Sequence, residues 1–227
     1  MISSQLSHVT IRYLSLQDYH RCWQAMKKFT DTRTAETGDE IWLLEHPAVF
    51  TQGQNGKPEH LLGATSIPVI PTDRGGQITY HGPGQLIVYT LIDVKRRKWN
   101  IRELVSRLEQ TVIDFLGAHG VSAMAQCKAP GVYVADKKIC SLGLRIRRGC
   151  AYHGLALNVD MDLTPFDLIN PCGYAELEMT QVKTLLPVLT MAAVREEFVE
   201  YLRQNLGYNT PLITLEQHHG TEVQPSD

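Results

Sequence analysis

Gly131-Val-Tyr-Val134, Lys138-Ile-Cys-Ser-Leu-Gly-Leu-Arg-Ile146 and Tyr152-His-Gly-Leu-Ala-Leu-Asn-Val159 are three short apolar and β-branched runs following one another along the chain. Asp136-Lys137 and Arg148-Gly149 stand between them, where hairpin turns belong. The reading is therefore three consecutive strands. Upstream, Gln85 to Val94 is almost continuously apolar, the pattern of a strand buried on both faces. Ile41 to Phe50 reads as a strand interrupted at His46-Pro47, and Ile67 to Ile70, with Pro68 and Pro71, as a short edge strand.

Helical spacing marks three separate stretches. Residues 15 to 30 place Leu16, Tyr19, Trp23 and Met26 on one face, with Ser15 as the expected N-cap and Asp18 three residues on. Asn100 caps the clearest helix, with Glu103 at the third position and Leu104, Leu108, Val112 and Phe115 inward. Thr190 caps the last, with Val194, Phe198, Leu202 and Leu206 inward. Strand runs mixed with three separated helices indicate an α+β (mixed α/β) domain.

No linker or repeat divides the chain, so residues 1–213 are expected to form one domain and the polar residues 214–227 a disordered tail. A net charge of −2 gives no reason to expect nucleic acid. The basic run Lys95-Arg96-Arg97-Lys98 is local: a solvated loop, or a contact for an acidic protein partner. No apolar window approaches the roughly 18 residues of a membrane span. Five scattered cysteines and a start without a charged, then apolar, leader point to a reducing cytoplasm. A monomer is the expected state.

Two segments carry chemistry. Arg74-Gly-Gly-Gln-Ile-Thr-Tyr-His-Gly-Pro-Gly-Gln85 packs four glycines beside an arginine and a histidine, so its backbone can bend tightly and approach a ligand. It lacks the Gly-Lys-Ser/Thr ending of a phosphate loop and the G-x-G-x-x-G of a dinucleotide site. Cys172, in Asn170-Pro-Cys-Gly173, sits in a turn-rich loop where a thiol can be presented. Cys140 and Cys150, in or beside strand patterns, fit small buried hydrophobes. A reactive thiol needs a basic neighbour; Lys137, Lys138, His81 and His153 are all candidates. No cysteine or histidine spacing suits a zinc site.

The stretch Arg74 to Tyr89 resembles the signature of the lipoyl(octanoyl) transferase, or lipoate-protein ligase B, family. Gly131-Val-Tyr-Val, Lys138-Ile-Cys-Ser-Leu-Gly-Leu-Arg-Ile, His153-Gly-Leu-Ala-Leu-Asn-Val and Asn170-Pro-Cys-Gly-Tyr match its later blocks. The resemblance runs from about Ile41 to the last helix. It implies the catalytic fold shared with biotin and lipoate ligases, a mixed sheet with packed helices. It also implies octanoyl (or lipoyl) transfer from acyl carrier protein to a lysine of a lipoyl domain, as in 2-oxoacid dehydrogenase complexes and the glycine cleavage H protein. Neither metal nor cofactor is implied, because the acyl thioester is already activated.

By position, Cys172 matches the family's acyl-accepting thiol and Lys138 its partner base, which demotes Lys137 and the histidines. Arg74, Gly75, Gly76, Gln77, Ile78, Thr79, Tyr80 and His81 match one substrate-lining segment. Ser141, Leu142 and Gly143 match a second, and Gly154, Leu155 and Ala156 a third. The alternatives are an ATP-dependent lipoate- or biotin-type ligase, which has no use for Cys172, and an acyl thioester hydrolase.

Overall fold

The computed structural model describes residues 9–126, 129–171, 177–208 and 213–217. Strand β10 (Cys150–Asn158) is buried at every position, because it lies between β6 (Gln85–Asp93) and β9 (Lys137–Arg147), antiparallel to both. β8 (Gly131–Val134) and β7 (Met124–Ala125) extend the sheet beyond β9, again antiparallel. The turns that join β8 to β9 and β9 to β10 place Ala135-Asp136 and Arg148-Gly149 at positive φ, as tight hairpins require. The first turn thus sits one residue earlier than the sequence suggested.

On the other side of β6 come β2 (Asp39–Glu45), antiparallel to it, then β1 (Val9–Leu16) and β11 (Ile213–Gln217), each parallel to its inner neighbour. The eight strands run in the order β11-β1-β2-β6-β10-β9-β8-β7. The break at His46-Pro47 carries the chain into a small second sheet, in which β3 (Val49–Gln52) pairs with β4 (Val69–Pro71) and β5 (Ile78–His81). β4 is an edge strand there, as its prolines require.

Side chains from the two faces of the large sheet fill two cores. Leu86 and Val88 of β6 point to one face and meet Leu104, Leu108, Val112 and Phe115 of helix α2 (Ile101–Ala118). A short helix α3 (Val182–Leu185) and α4 (Met191–Asn205) pack on the same side, with Val194, Phe198 and Leu202 fully buried. Ile87, Tyr89 and Leu91 alternate to the opposite face and meet Cys22, Met26 and Phe29 of α1 (Tyr19–Thr32).

Two expectations are corrected. The first helix begins at Tyr19 rather than near residue 15, because Asp18 is the N-cap and accepts the Arg21 N–H at 2.9 Å. Ser15 and Leu16 instead end strand β1. The start of the polar tail is also ordered into the sheet: Ile213–Gln217 pairs along β1, from Thr10↔Ile213 to Leu14↔Gln217. Backbone pairing stabilises a polar segment that carries little apolar patterning of its own.

Candidate active site

A narrow, mostly apolar cleft opens between the small sheet, the Arg74–Gly76 loop and strands β6, β9 and β10. Arg74, Gly76, Gln77, Ile78, Thr79 and His81 line one wall. Ser141, Leu142 and Gly143 of β9, with Gly154, Leu155 and Ala156 of β10, line the other. The two strand segments are direct ladder neighbours, pairing Ser141↔Ala156, Leu142↔Leu155 and Gly143↔Gly154. Three segments far apart in sequence therefore meet around one space.

Two of the expected lining residues face elsewhere. Tyr80 points away from the cleft, as alternation along β5 demands, and packs against Phe50 and Phe166. Gly75 donates its N–H to Leu144 O at 2.9 Å, fastening the loop to β9. It borders a neighbouring pocket that shares the Gly76, Gln77, Leu142 and Gly143 wall.

The loop is held by a polar frame. Arg74 Nε and Nη2 donate to Thr51 Oγ1 at 3.2 and 2.8 Å, and Nη1 donates to Gly75 O at 2.9 Å. Thr51 Oγ1 lies 3.2 Å from His81 Nε2, and His81 Nδ1 lies 2.8 Å from Gln85 Oε1. Gln85 donates to Asn158 Oδ1, Asn158 to Thr180 O, and the Thr180 N–H to Lys138 O. One set of proton positions satisfies every link: the Thr51 hydroxyl donates to Nε2, and His81 donates from Nδ1. The ring is then neutral, and its burial drives its pKa down to about 3, with His46 and Arg74 adding to the fall.

Tyr19, Ile87, Tyr89 and His153 also line the cleft. Tyr89 OH and His46 Nε2 are 2.7 Å apart, and His46 Nδ1 is 2.6 Å from Gln17 O, an arrangement that keeps His46 neutral. Burial lowers its pKa to about 4. Asp73 accepts from Trp23 Nε1 at 2.7 Å, from His153 Nε2 at 2.9 Å and from Tyr152 OH. Partial burial raises the Asp73 pKa, but these donors outweigh it and hold the carboxyl well below the usual range. Asp73 thus ties the loop to α1 and β10. Sequence reading assigned none of Asp73, Tyr19, Ile87 or Tyr89 to the site. Period-two alternation pairs Ile87 with Tyr89 on one face, but nothing in the sequence says that this face is the cleft.

Lys138 is fully buried. Its Nζ donates to Pro130 O at 2.9 Å and lies 5.4 Å from the centre of the Tyr133 ring. The neighbouring Lys137 is exposed and pairs with Glu178. The Lys138 backbone bonds to Glu178 O and the Thr180 N–H, so the chain just after residue 176 is fastened beside it. Asn170 and Pro171, together with Leu177, Glu178 and Met179, line one cavity of about 530 Å³. Cys172 itself lies outside the described residues, as does Cys127.

The three described cysteines are buried, and burial raises the Cys22 and Cys140 thiols to about 12, which leaves them protonated. Among the described residues, no cluster of three or more His, Cys, Asp or Glu side chains suits a metal ion, and no helix is long and apolar enough to cross a membrane.

The chain belongs to the family of lipoyl protein ligase A/B catalytic domains, whose model matches residues 18–203. Within that family it is similar to the octanoyltransferase of Shewanella frigidimarina (strain NCIMB 400), 55% identical over 90% of this chain and 94% of the relative. The octanoyltransferase of Shewanella sp. (strain W3-18-1) is 59% identical over 87% of this chain and 91% of the relative. The fold is that of lipoate-protein ligases: a lipoate-protein ligase A bound with ATP superposes with a TM-score of 0.73 at 15% identity, covering 92% of this chain and 89% of the other. The biotin protein ligase of Aquifex aeolicus, in complex with biotin and ATP, aligns less closely, with a TM-score of 0.55 at 12% identity over 87% of this chain and 70% of the other.

Proposed function

We propose that this chain transfers an octanoyl group from the phosphopantetheine thiol of acyl carrier protein to a lysine amine of a lipoyl domain, through a thioester on Cys172. It is an acyltransferase of protein lipoylation. The observation that carries this reading is 55–59% identity with proteins named octanoyltransferase over 87–90% of the chain. The cleft supports it physically. Its lining is mostly apolar, and Gly76, Gly143 and Gly154 bring backbone to its walls. Burying the seven aliphatic carbons of an octanoyl group at ~0.8 kcal/mol each contributes roughly 5–6 kcal/mol at most.

In the first half-reaction neutral Lys138 takes the Cys172 proton, giving an ammonium–thiolate pair that titrates as a unit. The thiolate attacks the octanoyl carbonyl. Pairing of β8 along β9 ends at Gly131↔Ser141, so Leu142 and Gly143 have their ladder partners on β10. Of these two, the N–H that points away from β10 receives the developing oxyanion. The carbon–sulfur bond to phosphopantetheine breaks, and Lys138 returns its proton to that departing thiol.

In the second half Lys138 takes a proton from the incoming lysine amine, which attacks the thioester. Cys172 leaves as a thiolate and is reprotonated from Lys138. No ATP is consumed, because the acyl group arrives as a thioester. The donor is octanoyl-acyl carrier protein. The acceptors are lipoyl domains of 2-oxoacid dehydrogenase complexes and the glycine cleavage H protein.

The deciding experiment is intact mass after mixing the protein with octanoyl-acyl carrier protein alone, beside Cys172→Ser. A gain of about 126 Da, labile to hydroxylamine and missing from the variant, is expected of a thioester intermediate. Free octanoate without adduct would mean hydrolysis. Acyl transfer that depends on ATP and releases AMP would mean a ligase.

A further inference from the structure

Glu109 is a carboxylate on the buried side of α2, between Leu108 and the fully buried Thr111 and Val112. Nothing in the reaction outlined above uses it. A charge among core residues is costly unless something holds it. Burial pushes its carboxyl up, and two neighbours act against that rise: Lys138, and the Gly131 N–H, which donates to Glu109 Oε1 at 2.9 Å. That N–H belongs to the Pro130–Gly131 peptide, and the carbonyl of the same peptide accepts Lys138 Nζ at 2.9 Å. Among the described residues no peptide bond is cis, so the two groups point in opposite directions from one planar unit. Glu109 and Lys138 grip a single peptide from its two ends, with their charged atoms within about 9 Å of each other given peptide bond lengths.

Such an arrangement is directional. A carboxylate that accepts a peptide N–H polarises that peptide and makes its carbonyl oxygen a stronger acceptor. The carbonyl then favours the ammonium form of the lysine that donates to it. The titratable groups that face the pair are Cys140 of β9, whose buried thiol is pushed up to about 12, and Tyr133 of β8, whose hydroxyl donates to Ala129 O. Both are neutral, which leaves the carboxylate as the negative charge facing Lys138 among these groups.

We infer that Glu109 is a positioning residue for acyl transfer, which acts through the Pro130–Gly131 peptide to fix Lys138 and favour its ammonium form against the Cys172 thiolate. This rests on the Cys172–Lys138 reading above. Glu109 touches neither substrate nor reacting atom.

The test compares Glu109→Gln, Glu109→Asp and Cys172→Ser with the wild type. The readouts are single-turnover acylation by octanoyl-acyl carrier protein, melting temperature, and the pH dependence of Cys172 alkylation by iodoacetamide, mapped by peptide mass. Glu109→Gln keeps shape and an acceptor but loses the charge. Its alkylation midpoint is expected to rise by about one pH unit and its acylation rate near pH 7 to fall about 10-fold. Melting should change by only a few degrees, and Glu109→Asp should restore much of the rate. An unchanged midpoint in Glu109→Gln would overturn the inference, whether or not the rate falls with stability. An acyl adduct persisting in Cys172→Ser would instead overturn the underlying reading, a separate outcome.

Discussion

Gly143 and Gly154 face each other across the β9–β10 ladder, in the wall of the cleft. They answer to different neighbours. A Cβ on Gly154 would sit 2.0 Å from Val88 O, so that glycine lets β6 and β10 approach. A Cβ on Gly143 would instead lie 3.1 Å from Arg74 Cδ and 3.2 Å from Gly75 O, on the side of the Arg74–Gly76 loop. The first glycine serves the sheet and the second the cleft.

Gly143→Val should therefore narrow the acyl site more than it harms the fold. The expected result is a loss of about 10-fold or more in kcat/KM for an eight-carbon donor, since each displaced methylene contributes ~0.8 kcal/mol. A four-carbon donor should be affected less. Initial rates with C4, C6 and C8 acyl carrier proteins measure this directly, and an unchanged chain-length preference would contradict the role given to Gly143.

Much of this architecture is legible in the chain. Helices α2 and α4 announce themselves through Asn100 and Thr190, whose side chains accept the Glu103 and Ala193 N–H groups, and through unbroken apolar stripes. The hairpin region reads correctly, to within one residue at its first turn, because its turns demand positive φ and β10 is buried at every position. The start of the first helix is misplaced in the sequence because Leu16 and Tyr19 mimic a helical pair across the true boundary at Asp18. β11 is illegible because a polar strand is stabilised by its partner, not by its own pattern. In the site, motif resemblance marked a contiguous segment, whereas alternation turns Tyr80 out of it. Asp73 and Glu109 act across 80 and 22 residues of sequence, through His153 and Gly131, and no local pattern encodes that.

Acid should weaken the fold through the buried histidines. His46 has a folded-state pKa of about 4, below the ~6.5 of an unfolded histidine, because burial disfavours its charge. The unfolded chain therefore binds the proton first. Stability from this group is fully present above about pH 6.5 and declines as pH falls toward 4, with a slope of up to ~1.4 kcal/mol per pH unit. His81 adds to the slope over a range reaching about pH 3. Urea titrations at pH 7, 6 and 5 should show this loss. His46→Gln should be less stable at pH 7, since Tyr89 and Gln17 lose their imidazole partner, yet have a slope shallower by about one proton. A slope identical to the wild type would mean that His46 titrates normally.

Gly131 offers the sharpest test of the lysine's placement. Its φ of 147° lies outside what other residues adopt readily, and a Cβ there would lie 2.4 Å from Lys138 Cε and 2.6 Å from Cys140 O. Backbone in such a region costs about 1–3 kcal/mol for a side-chain-bearing residue. The β9 carbonyl is fixed in the sheet, so the lysine side chain is the part that must give way. Gly131→Ala is expected to lower the melting temperature by several degrees, consistent with that strain. With Lys138 as the base proposed above, single-turnover acylation should fall by about 100-fold or more, far beyond the loss of folded protein, because an ångström-scale displacement of such a group has that effect. If the folded fraction of Gly131→Ala acylates at the wild-type rate, Lys138 Nζ need not occupy its site against Pro130 O for the reaction to proceed.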